Sequence, residues 1–200
     1  MQIYPRERSG AYSIPNNVTT INSYAFSTCD GLTSVTIPES VTSILLDAFA
    51  KCAQLKSVIF HEGITKIGVE AFENCKSLTS INLPQSLTTI GAGAFANTGL
   101  TSVDIPGGVV ELSESLLQGC SSLTSVNIGE GVKTIGGLAF KDCINLPSIT
   151  IPESVTAIAS NAFENCDSLI IITINKEEDS ISGKPWGAKN ATIHWAGGES

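Results

Sequence analysis

Aromatic side chains are scarce in this chain of 200 residues, at 6%, and charged side chains make up only 15%. A helical bundle would carry more Lys and Glu on its wet faces. With 42% hydrophobic residues and abundant Ser, Thr, Gly and Ile, the composition points instead to stacked strands. Positive charge is the scarcer sign: 11 Lys and Arg stand against 19 Asp and Glu, a net charge of −8. That deficit argues against nucleic acid and against anionic membrane, because both need cations to neutralise phosphate. No window offers the roughly 18 continuous apolar residues of a membrane helix. Residues Met1 to Ser9 lack the apolar core of a signal peptide, which is also how a piece of a longer exported chain would look.

What is present is a repeat. The six cysteines suggest a disulfide framework until their positions are compared. Cys29, Cys52 and Cys75 are 23 residues apart, and so are Cys120, Cys143 and Cys166. Thr98 holds the missing place between Cys75 and Cys120, with one residue lost. A leucine column runs through Leu32, Leu55, Leu78, Leu100, Leu123, Leu146 and Leu169. A second column runs through Phe26, Phe49, Phe72, Phe95, Leu117, Phe140 and Phe163. A period in this range with Leu-x-x-Val-x-Ile at its heart is the leucine-rich-repeat signal.

Within one unit, Leu32 to Cys52, each part has a physical reading. Val35 and Ile37 alternate, so both face one side of a short strand. Pro38 ends that strand because it has no N–H for the ladder; Pro15, Pro84, Pro106 and Pro152 share its place. Val41 and Ile44 turn inward from a second short extended segment. Asp47 to Cys52 reads as a helical turn that buries Ala48, Phe49 and Cys52. A single coil cannot bury its own apolar stripe, but stacked coils bury each other's. The expectation is a β-rich leucine-rich-repeat solenoid of short parallel strands with helical turns. It has about seven coils of 22–23 residues and is monomeric. Residues 1–15 form a partial N-terminal repeat or cap, residues 16–174 the solenoid, and residues 175–200 a C-terminal cap and tail. Ile3-Tyr4-Pro5 is either a capping strand or the remnant of a further repeat. The period stops after Ile174, and Trp186 and Trp195 suit a cap over the last coil or, alternatively, a ligand cradle.

The unit Leu-Thr-Ser-Val-Thr-Ile-Pro-x-Ser-Val-Thr-x-Ile-x-x-x-Ala-Phe-x-x-Cys resembles the BspA-like leucine-rich repeats of bacterial and protist surface proteins. The resemblance covers about residues 9–195. It implies a cell-surface or secreted protein of adhesion type. The implied partner is a protein ligand, such as a host matrix glycoprotein or another cell-surface protein.

Candidate chemistry is thin. His61 sits in the turn column and His194 near the C-terminus, about six coils apart, too far to share a site. The cysteines belong to the inward column, where small buried thiols explain them better than zinc or a nucleophile. No enzyme activity, cofactor or metal is assigned. Glu39–Glu62 and Glu130–Glu153 would stack like charges on the turn edge, with calcium the runner-up to plain solvation. The irregular coil from Asn97 to Cys120 gathers Asp104, Glu111 and Glu114, which repeat drift or a local recognition feature would explain. The best binding surface is the exposed strand face. Its outward column is Thr36, Ile59, Asn82, Asp104, Asn127 and Thr150, flanked by Ser and Thr columns. The expected function is non-enzymatic protein binding. A carbohydrate-binding accessory domain or a rigid spacer in a larger cell-wall protein are the alternatives.

Overall fold

Alternation of inward Val or Ile with outward polar residues makes each coil's first side a strand. In the computed structural model, which describes residues 9–196, these strands are β1 (Gly10–Ser13), β3 (Leu32–Ile37), β5 (Ser57–Phe60), β8 (Ser102–Ile105), β10 (Ser125–Ile128), β12 (Ser148–Ile151), β14 (Ile171–Ile174) and β15 (Thr192–Trp195). A turn after each strand leads to a two-residue strand on the second side: β2 (Thr20–Ile21), β4 (Ser43–Ile44), β6 (Lys66–Ile67), β7 (Thr89–Ile90), β9 (Glu111–Leu112), β11 (Thr134–Ile135) and β13 (Ala157–Ile158). Every pairing between coils is parallel, and the regular coils keep repeat register: Val35 meets Val58, Ile44 meets Ile67, and Val103 meets Val126, with a shift only toward the two ends of the array. Ile3-Tyr4-Pro5 lies outside the described residues.

The third side corrects the expectation of helical turns. Among the described residues there is no helix. The N–H groups of this segment alternate between two partners. Those of Ala48, Ala50 and Cys52 bond three residues back, to Leu45, Asp47 and Phe49. Those of Asp47, Phe49 and Lys51 reach the next coil, to the carbonyls of Val69, Ala71 and Glu73 at 2.7–3.0 Å. Left-handed backbone at Asp47 (φ 53°) and Lys51 (φ 63°), repeated at Glu70 and Asn74, re-aims every second N–H outward. A right-handed helix would keep those groups for itself and leave the coils unjoined.

The core is one continuous column system. Phe26 stacks on Phe49 at 4.8 Å between ring centroids, Phe49 on Phe72 at 5.2 Å, and Phe72 on Phe95 at 5.7 Å. Leu117 interrupts the stack, which resumes from Phe140 to Phe163 at 5.2 Å. The thiols do more than fill space. Sγ of Cys52, Cys75, Cys120, Cys143 and Cys166 each donates to the carbonyl of the Phe-column residue one coil back, at 2.9–3.2 Å. None of the six cysteines forms a disulfide. Where Thr98 replaces cysteine, its hydroxyl turns to Phe95 O at 2.9 Å and lies 3.2 Å from Cys120 Sγ.

The lost residue sits just after Thr98, and Gly99 absorbs it. A Cβ on Gly99 would come within 2.3 Å of the Lys76 carbonyl oxygen, so only glycine lets the shortened corner approach that closely. Alongside, residues 78–83 complete no ladder, although Thr101 N–H still donates to Thr79 O at 3.0 Å.

After Ile174 the 22–23-residue period is lost, but the backbone keeps winding. The chain makes an eighth, irregular coil that returns as β15, pairing Ile172 with Ile193 and Ile174 with Trp195. Phe163 N–H bonds the carbonyl of Trp186 at 2.9 Å, as Phe140 bonds that of Ala162. Trp186 is fully buried, and its Nε1 donates to Ser182 O at 2.8 Å. The large indole fills the end of the core, which is why the sequence here loses the repeat pattern while the backbone keeps it.

Candidate binding face

The outward column of the strand side is assembled by register. Thr36 pairs with Ser13 and Ile59, Asp104 with Asn127, and Thr150 with Thr173, which pairs in turn with His194. Thr36, Ile59, Asp104, Asn127 and Thr150 therefore hold equivalent places in three ladders, and Asn82 lies between the first two. Thr36 is half-buried and the others are exposed, Ile59 most conspicuously at 51%. Sequence reading missed three further members, Ser13, Thr173 and His194, because the column was followed only where the repeat was regular.

The neighbouring hydroxyl column is partly committed to structure. Thr101 Oγ1 donates to Thr79 O at 3.2 Å and Thr124 Oγ1 to Thr101 O at 3.1 Å. A second threonine ladder braces the second side, with Thr65, Thr88 and Thr156 each bonding a carbonyl one coil back at 3.1–3.3 Å. These threonines tie coils together, so the strand-face hydroxyls are less available to a ligand than their exposure suggests.

The glutamate edge is not a uniform ladder. Glu62 braces the next turn, accepting the N–H groups of Gln85 at 3.1 Å and Ser86 at 3.0 Å. The Ser86 bond, then the Gln85 bond, hold its carboxyl below the usual range. Glu39 instead lines an open groove of about 410 Å³ with Asn16, Pro38, Ser40 and His61. Glu153 lines another of about 380 Å³ with Asn175, Lys176, Glu177 and Ser180.

A carboxylate cluster forms elsewhere, on the third side. Asp47, Glu70 and Glu73 bring oxygen atoms within 4.8 Å of one another. Burial pushes the Glu70 carboxyl up, and the charges of Glu73 and Asp47 push it further against a partial offset from Lys51. The signal was present in the sequence, since Asp47 and Glu70 share one repeat position. It was overlooked because only the turn edge was read as an acidic column.

The two histidines stay apart, His61 at a turn groove and His194 on the last strand. Burial raises the thiols of Cys120 to about 11 and Cys166 to about 12, away from thiolate chemistry. Trp186 lies inside the core, so no paired-tryptophan cradle forms. Trp195 is half-buried at the array end under Lys184, whose Nζ is 5.8 Å from the ring centroid. No helix among the described residues is long and apolar enough to cross a membrane.

Eight stacked coils with Leu, Phe and Cys columns inside and a polar strand face outside define a leucine-rich-repeat solenoid. The chain belongs to the BspA type leucine-rich repeat family, whose profile matches six copies over residues 9–124 and 111–186. Solved structures agree. A leucine-rich repeat protein from Eubacterium ventriosum is 28% identical, with a TM-score of 0.72 over 92% of this chain and 49% of its own. The T. pallidum leucine-rich repeat protein is 26% identical, with a TM-score of 0.59 over 70% of this chain and 78% of its own. A leucine-rich cell surface protein from Faecalibacterium prausnitzii is 27% identical, with a TM-score of 0.50 over 85% of this chain and 61% of its own. The chain thus spans about half of the first of these and under two thirds of the last. No curated protein sequence matches it.

Proposed function

We propose that the chain is a non-enzymatic protein-binding array of adhesion type, displayed on a cell surface or secreted. The observation that carries this reading is the outward column that runs from Ser13 to His194 in three parallel ladders, with Asn82 between the first two. Such a surface suits an extended protein partner, and a host matrix glycoprotein or another cell-surface protein is the class in view. The likeness to a leucine-rich cell surface protein supports the location. The strand face has few Trp, Tyr or Arg anchors, so single contacts are weak and multivalent display supplies avidity.

The test is binding of the chain, singly and on multivalent beads, to immobilised fibronectin, laminin and collagen. Micromolar or weaker binding by the single chain, strengthened on beads and lost in Asn127→Arg with Thr150→Arg, is the expected result. Absence of binding in the multivalent format, or binding indifferent to those substitutions, counts against the strand face.

A further inference from the structure

The third side carries a surface that the strand-face reading does not use. Two short columns run side by side over the first three coils. One is apolar: Leu46 (37% exposed) and Val69 (41% exposed) occupy the same place in successive coils. The other begins with Tyr24 and continues as Asp47 and Glu70, joined coil to coil through Tyr24 N–H to Leu46 O, Asp47 N–H to Val69 O and Glu70 N–H to Ala92 O at 2.9–3.0 Å. Glu73 brings a third carboxylate to the same spot.

Tyr24 is the informative member. Its place has left-handed backbone in six coils: φ is 61° at Tyr24, 53° at Asp47, 53° at Glu70, 61° at Gly93, 56° at Ser115 and 58° at Leu138, so the conformation belongs to the repeat. What sets Tyr24 apart is its ring, which leaves 56% of its surface in water. An exposed aromatic beside exposed aliphatic side chains suits a contact surface. The acids beside it crowd one another: burial first, then the charges of Glu73 and Asp47, hold the Glu70 carboxyl above its usual range, with Lys51 a partial offset.

We infer that Tyr24, Leu46 and Val69, with Asp47, Glu70 and Glu73, form a docking strip for an extended segment of a partner protein that alternates apolar side chains with Arg or Lys. Charge complementarity selects the occupant: the apolar lane takes the Leu-like side chains while the carboxylates beside it take guanidinium groups, which bind two oxygens at once. The inference rests on the reading of the chain as a protein-binding array and adds a second contact surface to it.

The test is fluorescence anisotropy with a labelled hexapeptide alternating Leu and Arg, against matched Leu/Glu and Ser/Arg peptides. The Leu/Arg peptide binds the wild type more tightly than either control, and binding weakens as salt rises. Affinity falls about tenfold or more both in Leu46→Ser with Val69→Ser and, separately, in Asp47→Asn with Glu70→Gln. Glu70→Gln relieves like-charge crowding, so a loss in that variant with an unchanged or raised melting temperature is not a folding defect. Equal affinity for Ser/Arg and Leu/Arg, or unchanged affinity in either double variant, overturns the strip. Matrix-glycoprotein binding that survives both double variants but disappears with Asn127→Arg and Thr150→Arg overturns the strip while leaving the array's protein-binding role standing.

Discussion

Phe72 is where the stacked core can be tested most sharply. Its ring is fully buried, 5.2 Å from Phe49 at an interplanar angle of 2°, 5.7 Å from Phe95 at 12°, and edge-on to Phe60 at 6.3 Å. Phe72→Ala removes the transfer free energy of the ring and leaves a void, for which about 3–5 kcal/mol is usual. Collapse would reduce that cost, but here the coils are pinned apart by backbone bonds. Phe49 N–H holds Ala71 O at 2.8 Å and Phe72 N–H holds Ala94 O at 2.9 Å. The neighbouring rings cannot close the gap without breaking the ladder, so the cost lies toward the upper end, about 4–5 kcal/mol. Phe72→Leu copies what Leu117 does two column places further along, and should cost only about 1–2 kcal/mol. Urea melts followed by circular dichroism measure both. The contacts of each coil are with its neighbours alone, so the alanine variant should also lose cooperativity, its two halves melting at different midpoints. A loss under about 1 kcal/mol for Phe72→Ala would refute the pinned-coil argument, since it lies well below the usual range.

The other expectations concern single contacts. Cys75→Ala should cost about 1–2 kcal/mol in urea melts, from lost volume and the lost bond to Phe49 O. Cys75→Thr, which copies Thr98, should cost less. Gly99→Ala should destabilise by about 1–3 kcal/mol, because its Cβ meets a backbone oxygen that no rotamer change can move. The two glutamates should respond oppositely to pH. The Glu62 carboxyl is depressed in the folded chain, so its contribution is present above the ordinary glutamate range and is lost as pH falls through the folded value. Glu62→Gln should therefore lower the melting temperature at pH 7 and not at strongly acid pH. The Glu70 carboxyl is raised, so its favourable contribution is full below the ordinary glutamate range and is lost as pH rises through the folded value. Glu70→Gln should raise the melting temperature at pH 7 and leave it unchanged in acid, and a fall at pH 7 would contradict the crowding described.

The fold was legible because its determinants recur at one spacing. Leu32, Val35, Ile37, Phe49 and Cys52 are read as core from period alone, and all are fully buried. The end of the array was legible only as a break in the repeat pattern. Trp186 replaces the small and medium residues of the repeat with one indole, so the pattern vanishes although the coil persists. The helical turn was misread because the spacing of Phe49 and Cys52 fits a turn of helix and a run of β-turns equally well. What separates them is the destination of alternate N–H groups, which belongs to the next coil.

By itself the sequence determined a leucine-rich-repeat solenoid, its inward columns and the outward strand column from Thr36 to Thr150. Periodicity carries that information, since a side chain's face depends only on its place in the coil. Tertiary structure alone decided which exposed groups are already used and which stand together. Glu62 is spent on Gln85 and Ser86, and Thr101 on Thr79, while Asp47, Glu70 and Glu73 crowd beside Leu46 and Val69. Those relations lie between residues one coil apart. They depend on the angle at which each coil lands on the last, which backbone hydrogen bonds set and no single repeat contains.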